Sequence, residues 1–393
     1  MATTAEAIRR HSGPPIFSFG FRPFFLFSAI WAAVAVPIWI ASFTLGDGMV
    51  GATDGRAWHI HEMLFGYLGG VIAGFLLTAV PNWTGRLPVT GAGLAGLFAL
   101  WVAGRAAGFA PAAFALPAAV VDSAFLIVFA AVVWREVLAA KNRRNLPICL
   151  MVTVLAAANI AFHLQDVLPA IGLWAERAAV AVIIGLVALI GGRVTPSFTQ
   201  NWTLAQGIAA PPAAFGGLDK ATLALTGIAL VAWVAAPYAL IPGLLMILAG
   251  LANAVRLYRW RGWLARREAL LWILHAGYAW VAIGLLLLGL SAVAPAAVPF
   301  TAGIHALTAG AMGVMTLAMM TRATRGHTGR PRVADRATTL IYATILLAAV
   351  VRVCAPFHAE WSPALLAVSA ILWSLAFFGF ALAYGPMLLR RSL

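Results

Sequence analysis

Long apolar segments recur from one end of the chain to the other, and short polar segments separate them. Most contain at least about 17 residues, enough for a helix to cross a hydrocarbon layer of roughly 30 Å. Backbone groups in hydrocarbon must be paired internally, so only helices and closed barrels span it. These segments are too long and continuous for barrel strands. The pattern therefore predicts helices at 22–43, 58–80, 91–109, 112–134, 146–165, 175–195, 219–236, 238–257, 269–291, 299–321, 336–355 and 362–387.

Composition supports the same fold class. Of the 393 residues, 63% are hydrophobic and only 10% are charged, whereas soluble domains carry about 25% charged residues. We predict an all-α, polytopic membrane helix bundle of about twelve transmembrane helices in a lipid bilayer. It forms a single integral membrane domain, 1–393, with a short cytoplasmic N-terminal segment, 1–20. The net charge of +14 lies in loops, so it indicates orientation and no nucleic-acid partner.

The distribution of lysine and arginine predicts that orientation. If the helices alternate, 22 of the 26 basic residues fall on one side, Arg9 and Arg10 among them. The cytoplasmic loops of a membrane protein carry the excess of basic residues. Both termini are therefore expected in the cytoplasm of a bacterial cell, with an even number of helices crossing its inner membrane.

Three helix ends suggest an internal repeat. The second and sixth predicted helices end in segments, 78–84 and 195–203, that share the triplet Asn-Trp-Thr, and the tenth ends in a threonine-containing segment at 320–324. All three lie four helices apart on the predicted cytoplasmic side. They suggest three four-helix units; the alternative is a coincidence of short motifs.

Five of the eight histidines fall near the predicted periplasmic surface. They are His59 and His61 at the start of the second helix, His163 at the end of the fifth, His305 about two turns into the tenth, and His358 in the loop that follows the eleventh. Neutral imidazole is a good ligand for haem iron and for copper. The alternative is that each histidine anchors a helix at the interface.

Helix geometry limits how these histidines combine. His59 and His61 are about 200° apart on an ideal helix, so they serve different partners unless His59 precedes the helix. His61 and His305 project from two helices near one depth, and they are the candidate axial ligands of a haem, with His275 as the alternate. His59 and His163 are the candidate copper ligands.

Further residues extend the copper and haem candidates. His358 is a less certain third copper ligand, and Met63, one turn from His59, offers a thioether. Glu62 shares a helix face with His59 and is a candidate for orienting one of its ring nitrogens. Arg22 and Arg193 are candidates for pairing with a carboxylate or a propionate. The helix dipole and cytoplasmic anchoring explain these three residues as well. The chain has no Cys-x-x-Cys-His attachment motif, so any haem is expected to be non-covalent haem b.

Small residues line one face of two helices, and they allow two interpretations. One is close helix packing and the other is room for a flat macrocycle. The residues are Gly66, Gly69, Gly70, Ala73 and Gly74 on the second helix, and Gly303, Gly310 and Gly313 on the tenth.

Several segments carry a family resemblance. They are GFRPFF at 20–25, WHIHEMLFG at 58–66, GFLLTAVPNWTG at 74–85, GRVTPSFTQN at 192–201, HAGY at 275–278 and the segment 305–330. In these segments the chain resembles the NnrS family of bacterial membrane proteins. The resemblance implies an inner-membrane protein that contains haem and copper and is linked to nitric oxide metabolism, denitrification and nitrosative stress. It implies nitric oxide or nitrosyl species as partners, with an electron donor that it does not identify.

Three functions are compatible with these features. The first is a redox metalloprotein that acts on nitric oxide. The second is a secondary transporter, although transporters usually carry midplane charges and broken helices, and here Asp122 is the one acidic residue in mid-helix. The third is a metal-supply or scaffold protein for denitrification enzymes.

The orientation is testable with reporter fusions. Fusions after residues 145 and 265 should report a cytoplasmic location and a fusion after residue 170 a periplasmic one, because basic residues flank the first two positions. Paired alkaline phosphatase and green fluorescent protein fusions measure the location. A cytoplasmic signal at residue 170 would mean that the helix count is wrong.

Overall fold

The computed structural model describes residues 11–45, 54–165, 167–209 and 211–392. Residues 1–10, which include Arg9, Arg10 and half of the predicted N-terminal segment, lie outside the described residues. The structure is 82% helix, and the described residues include no strand. It contains α1 (Phe21–Leu45), α2 (Gly55–Thr84), α3 (Gly91–Ala107), α4 (Ala115–Ala139), α5 (Leu146–His163), α6 (Pro169–Ala205), α7 (Gly217–Ala235), α8 (Leu240–Arg259), α9 (Ala269–Val293), α10 (Phe300–His327), α11 (Arg336–Cys354) and α12 (Ser362–Leu389).

Every predicted helix has a counterpart among these twelve. Eleven helices in the described part of the chain are long and apolar enough to cross a membrane, and α3, with 17 residues, is a shorter apolar helix. The predicted fold class, a polytopic helix bundle, is confirmed. The largest difference is α6, which extends beyond its predicted bounds at both ends.

The chain divides into two compact units. The first unit contains the described residues up to 179, together with 323–330 and 377–392. The second unit contains 180–322 and 331–376.

In the first unit, Arg22 on α1 caps the end of α12. Its Nη1 donates to the carbonyl oxygens of Leu388 and Arg390 at 2.8 and 2.6 Å, and its Nη2 donates to Ser392 Oγ at 2.8 Å. The last carbonyls of a helix have no partner within it and carry partial negative charge, so a buried guanidinium satisfies them. The described contacts of Arg22 are those of a helix cap and not of a residue that orients a metal ligand.

In the second unit, α8 and α9 approach closely because both carry glycine where they meet. A Cβ added at Gly289 would lie 2.5 Å from the carbonyl oxygen of Gly243 and 2.8 Å from the backbone nitrogen of Ile247. Small residues at such crossings let helix backbones pack directly in an apolar medium.

A π-helical segment interrupts three of the helices. The segments are Glu62–Tyr67 in α2, Val187–Gly191 in α6 and Ala306–Met312 in α10. They occur in the same three helices whose ends suggest the internal repeat. A π turn inserts an extra residue, which shifts the following side chains around the axis, and it is frequently found at functional sites.

The α8–α9 contact gives a stability prediction. Gly289→Ala should destabilise the protein by about 1–3 kcal/mol, because the added methyl group forces two backbones apart. Gly227→Ala is the matched control, since a Cβ there meets nothing within 4 Å. Thermal unfolding of the purified protein in detergent measures both. Equal unfolding temperatures for the two variants would contradict this account.

Candidate metal centre

A buried polar network lies within the first unit, among helices that are otherwise apolar. Its side chains are Trp31 on α1, His61 and Glu62 on α2, Arg105 on α3, Asp122 on α4, and Asn159 and His163 on α5. Glu62 has no exposed surface and Asp122 is 4% exposed. Ionisable residues are expensive inside a membrane, so a group of them marks a candidate functional site.

Arg105 joins the two carboxylates of this network. One of its terminal nitrogens donates to Glu62 Oε2 and the other donates to Asp122 Oδ1. The indole Nε1 of Trp31 also donates to Glu62 Oε2, at 2.8 Å. One guanidinium and two carboxylates leave one negative charge in excess, which a cation or a protonated histidine balances.

Two histidines converge on the other oxygen of Asp122. The Nε2 atoms of His61 and His163 each lie 3.0 Å from Asp122 Oδ2. One ligand atom from each of these three residues lies within 4.8 Å of the others. Two imidazole nitrogens and one carboxylate oxygen form a donor set that suits copper, zinc or ferrous iron.

Further contacts hold His61 and Asp122 in place. Its Nδ1 lies 3.0 Å from Glu62 Oε1, and Asn159 Nδ2 donates to Asp122 Oδ2 at 2.9 Å. A carboxylate on the second ring nitrogen is the usual partner of a metal-ligating histidine, because it fixes the tautomer and the ring orientation. Both nitrogens of His61 face carboxylates, an arrangement that suits an imidazolium. A metal ion at Nε2 would take the place of one proton.

The π segment of α2 begins at the residue that orients His61. Sequence reasoning paired Glu62 with His59, because residues three apart share a face of a regular helix. In the structure, Glu62 instead contacts its neighbour His61. The pairing with His59 is therefore corrected, and the physical reason is that Trp31 and Arg105, from two other helices, hold the Glu62 carboxylate.

The structure groups the predicted ligands differently from the sequence. His163, predicted as a copper ligand, lies beside His61, which was predicted as a haem ligand. The ring of His59 stacks on Trp39, with centroids 4.2 Å apart. Met63 packs in the hydrophobic cluster around Trp58.

The other predicted residues lie in the second unit. His305 Nδ1 donates to the carbonyl oxygen of Thr301 at 2.7 Å, which selects the tautomer with Nε2 as a ligand atom. His275 Nε2 lies 2.9 Å from Thr199 Oγ1. His358 is exposed in the loop after α11, and Arg193 is half-buried in α6.

The small residues of α2 and α10 pack against other side chains. The distances to those side chains show whether a haem has room beside the two helices. A Cβ at Gly74 would lie 2.9 Å from Phe24 and Phe25 atoms, one at Gly310 would lie 2.6 Å from the Trp280 ring, and one at Gly313 would lie 2.6 Å from Trp373. Arg105 and Glu62 side chains fill the space at Gly66. Protein side chains therefore occupy these glycine faces, and they do not fit a macrocycle.

Sequence reasoning missed Trp31 and three polar members of the network, Asp122, Arg105 and Asn159. Asp122 was weighed only as a transporter feature, and Arg105 only as one of the four basic residues outside the predicted cytoplasmic side. Asn159 lies four residues before His163, so the two share one face of α5. An ionisable or amide side chain within an apolar helix was the signal that connected all three.

Fold and site together define a polytopic helical membrane protein with a buried histidine–carboxylate centre. The family model described as NnrS protein matches residues 15–392. The chain therefore belongs to the NnrS family, which connects this membrane protein with nitric oxide. A search of curated proteins and a search of solved structures each found no match.

The ion pairs of Arg105 give a second stability prediction. Arg105→Met should cost about 3–5 kcal/mol, because it leaves two buried carboxylates without their cation. Arg144→Met, at an exposed loop position, is the control and should have little effect. Thermal unfolding measures both. Adding Glu62→Gln to Arg105→Met should recover part of the loss; a double variant less stable than Arg105→Met would refute the charge argument.

Proposed function

We propose that this protein is a copper-containing protein of the bacterial inner membrane that acts in nitric oxide metabolism or in resistance to nitrosative stress. The observation that carries the proposal is the convergence of His61, His163 and Asp122 within the membrane-spanning bundle. Membership of the NnrS family supplies the connection with nitric oxide.

The donor set is compatible with copper, and the family resemblance favours copper over zinc and iron. Two imidazoles and one carboxylate suit cupric copper, and copper supplies one-electron chemistry at a metal that binds nitric oxide. The protein supplies the rest of the site. Glu62 and Asn159 orient His61 and Asp122, and Arg105 offsets the carboxylate charge.

Haem b stays a prediction from the family resemblance. His61 directs both ring nitrogens to carboxylates, so we assign it to the copper centre and keep His305 and His275 as the haem candidates. The side chains that fill the glycine faces of α2 and α10 argue against a macrocycle there. A reduced-minus-oxidised spectrum of the purified protein, compared between wild type and His305→Ala, tests this prediction.

The alternative functions differ in a measurable way. The Asp122 carboxylate is enclosed by Arg105, Asn159 and two histidines, which favours a metal centre over a transported substrate. Consumption of nitric oxide by the purified, copper-loaded protein with a chemical reductant, followed with a nitric oxide electrode, supports redox chemistry. Copper binding without consumption supports the metal-supply or scaffold role.

The copper centre predicts which variants lose metal. His61→Ala, His163→Ala and Asp122→Asn should each lose most of the bound copper, and Glu62→Gln should weaken binding about 10–100-fold. His59→Ala is the control and should retain copper, because its ring stacks on Trp39. Metal analysis and the nitrogen hyperfine pattern of cupric electron paramagnetic resonance are the measurements.

The same experiment distinguishes the two assignments of the histidines. Loss of copper in His59→Ala and retention in His61→Ala would overturn the proposed centre and restore the grouping of His59 with His163, His358 and Met63. Copper would be bound elsewhere if all four variants retained it: His61→Ala, His163→Ala, Asp122→Asn and Glu62→Gln.

A further inference from the structure

A cavity of about 370 Å³ lies at the end of α8 in the second unit. Its lining combines two cations with two aromatic rings: Arg259, Arg261, Tyr258 and Trp263, together with Pro211 and Ala213 of the linker before α7. The distribution of basic residues puts this end of α8 on the predicted cytoplasmic side.

The turn that carries Arg261 is rigidly held. Arg261 has a left-handed backbone, with φ 52° and ψ 44°, which residues other than glycine rarely adopt and which clusters at ligand sites. Trp260 before it is 2% exposed and its ring centroid lies 4.5 Å from that of Tyr278. Gly262 after it lies against His275, where a Cβ would fall 2.6 Å from Nδ1.

The linker between α6 and α7 is joined to the same helix end. The backbone N–H of Ala213, in this linker, donates to the carbonyl oxygen of Arg259 at 3.1 Å. The linker and the turn therefore border the open cavity together, and this contact lowers the entropic cost of binding a ligand.

The charges around this cavity are not balanced. Asp219 pairs with the fully buried Arg256 at 2.8 Å, and Arg259 approaches the other oxygen of Asp219 only at 3.4 Å. One carboxylate thus faces two guanidinium groups, and Arg261 adds a third. The excess positive charge suits an anion with several acceptor oxygens, such as a phosphate.

The aromatic side chains indicate where that anion comes from. Tyr258 and Trp263 are 71% and 50% exposed, and their ring centroids lie 5.1 Å apart. Tyrosine and tryptophan are enriched at the headgroup level of a bilayer, and basic pockets between transmembrane helices on the cytoplasmic side bind anionic lipids. We propose that this cavity binds the headgroup phosphate of an anionic phospholipid of the cytoplasmic leaflet.

Native mass spectrometry of the full-length protein in detergent tests the proposal, with phosphatidylglycerol as the probe and phosphatidylcholine as the neutral reference. Arg261→Gln should weaken phosphatidylglycerol binding about fivefold, the loss of one cation near a headgroup. Arg261→Lys should retain most of the affinity. Arg390→Gln, an exposed arginine on the same predicted side, should bind as the wild type does.

Three outcomes would overturn the proposal. The first is equal binding of phosphatidylglycerol and phosphatidylcholine by the wild type. The second is equal binding of phosphatidylglycerol by Arg261→Gln and Arg390→Gln when both variants unfold at the wild-type temperature. The third is complete displacement of the lipid by millimolar inorganic phosphate, which would identify a site for a soluble phosphate ester. The copper centre lies in the first unit, so these results are independent of the proposed function.

Discussion

The geometry of the candidate metal centre depends on the two ion pairs of Arg105. Glu62 and Asp122 lie in a medium that contains little water, and each carboxylate is costly there without a cation. Arg105 holds one oxygen of each, so their remaining oxygens point toward the histidines. Asp122 thereby offers one oxygen to both His61 and His163, while Glu62 steadies the far side of His61. A network of this kind is stable only when all members are satisfied.

The same region shows how a break in helical periodicity contributes to a site. The π segment of α2 leaves the Gly66 carbonyl to accept from Trp101 Nε1 at 2.9 Å, and Gly66 has no side chain where Arg105 and Glu62 lie. Trp101 and Arg105 are four residues apart, so α3 presents both donors on one face. The π segment of α6 is similar: Arg256 on α8 donates to its Ala188 carbonyl oxygen at 3.1 Å. In both helices, a side chain from another helix satisfies a carbonyl of the irregular turn.

The helices could be predicted because hydrocarbon thickness imposes a length on each apolar segment. The extension of α6 through Pro196 could not, because its last turns are polar and leave no such signal. Histidine chemistry identified His61 and His163 as candidate ligands, but it assigned them to different metals. Their common partner, Asp122, is on α4, and which helices are neighbours depends on contacts between residues far apart in sequence. The partner of Glu62 depended on Trp31 and Arg105, which reach its carboxylate from other helices.

The cap that Arg22 forms on α12 has a consequence for biogenesis. The guanidinium and its acceptor at Leu388 are 366 residues apart, so α1 finds this buried partner only when α12 has entered the membrane. The first unit is correspondingly discontinuous in sequence. Until translation reaches that point, the α1 cation must remain at the lipid headgroups or be shielded by the insertion machinery. Closure of this part of the bundle therefore waits for α12, and a nascent chain stalled before it leaves an uncompensated cation beside hydrocarbon.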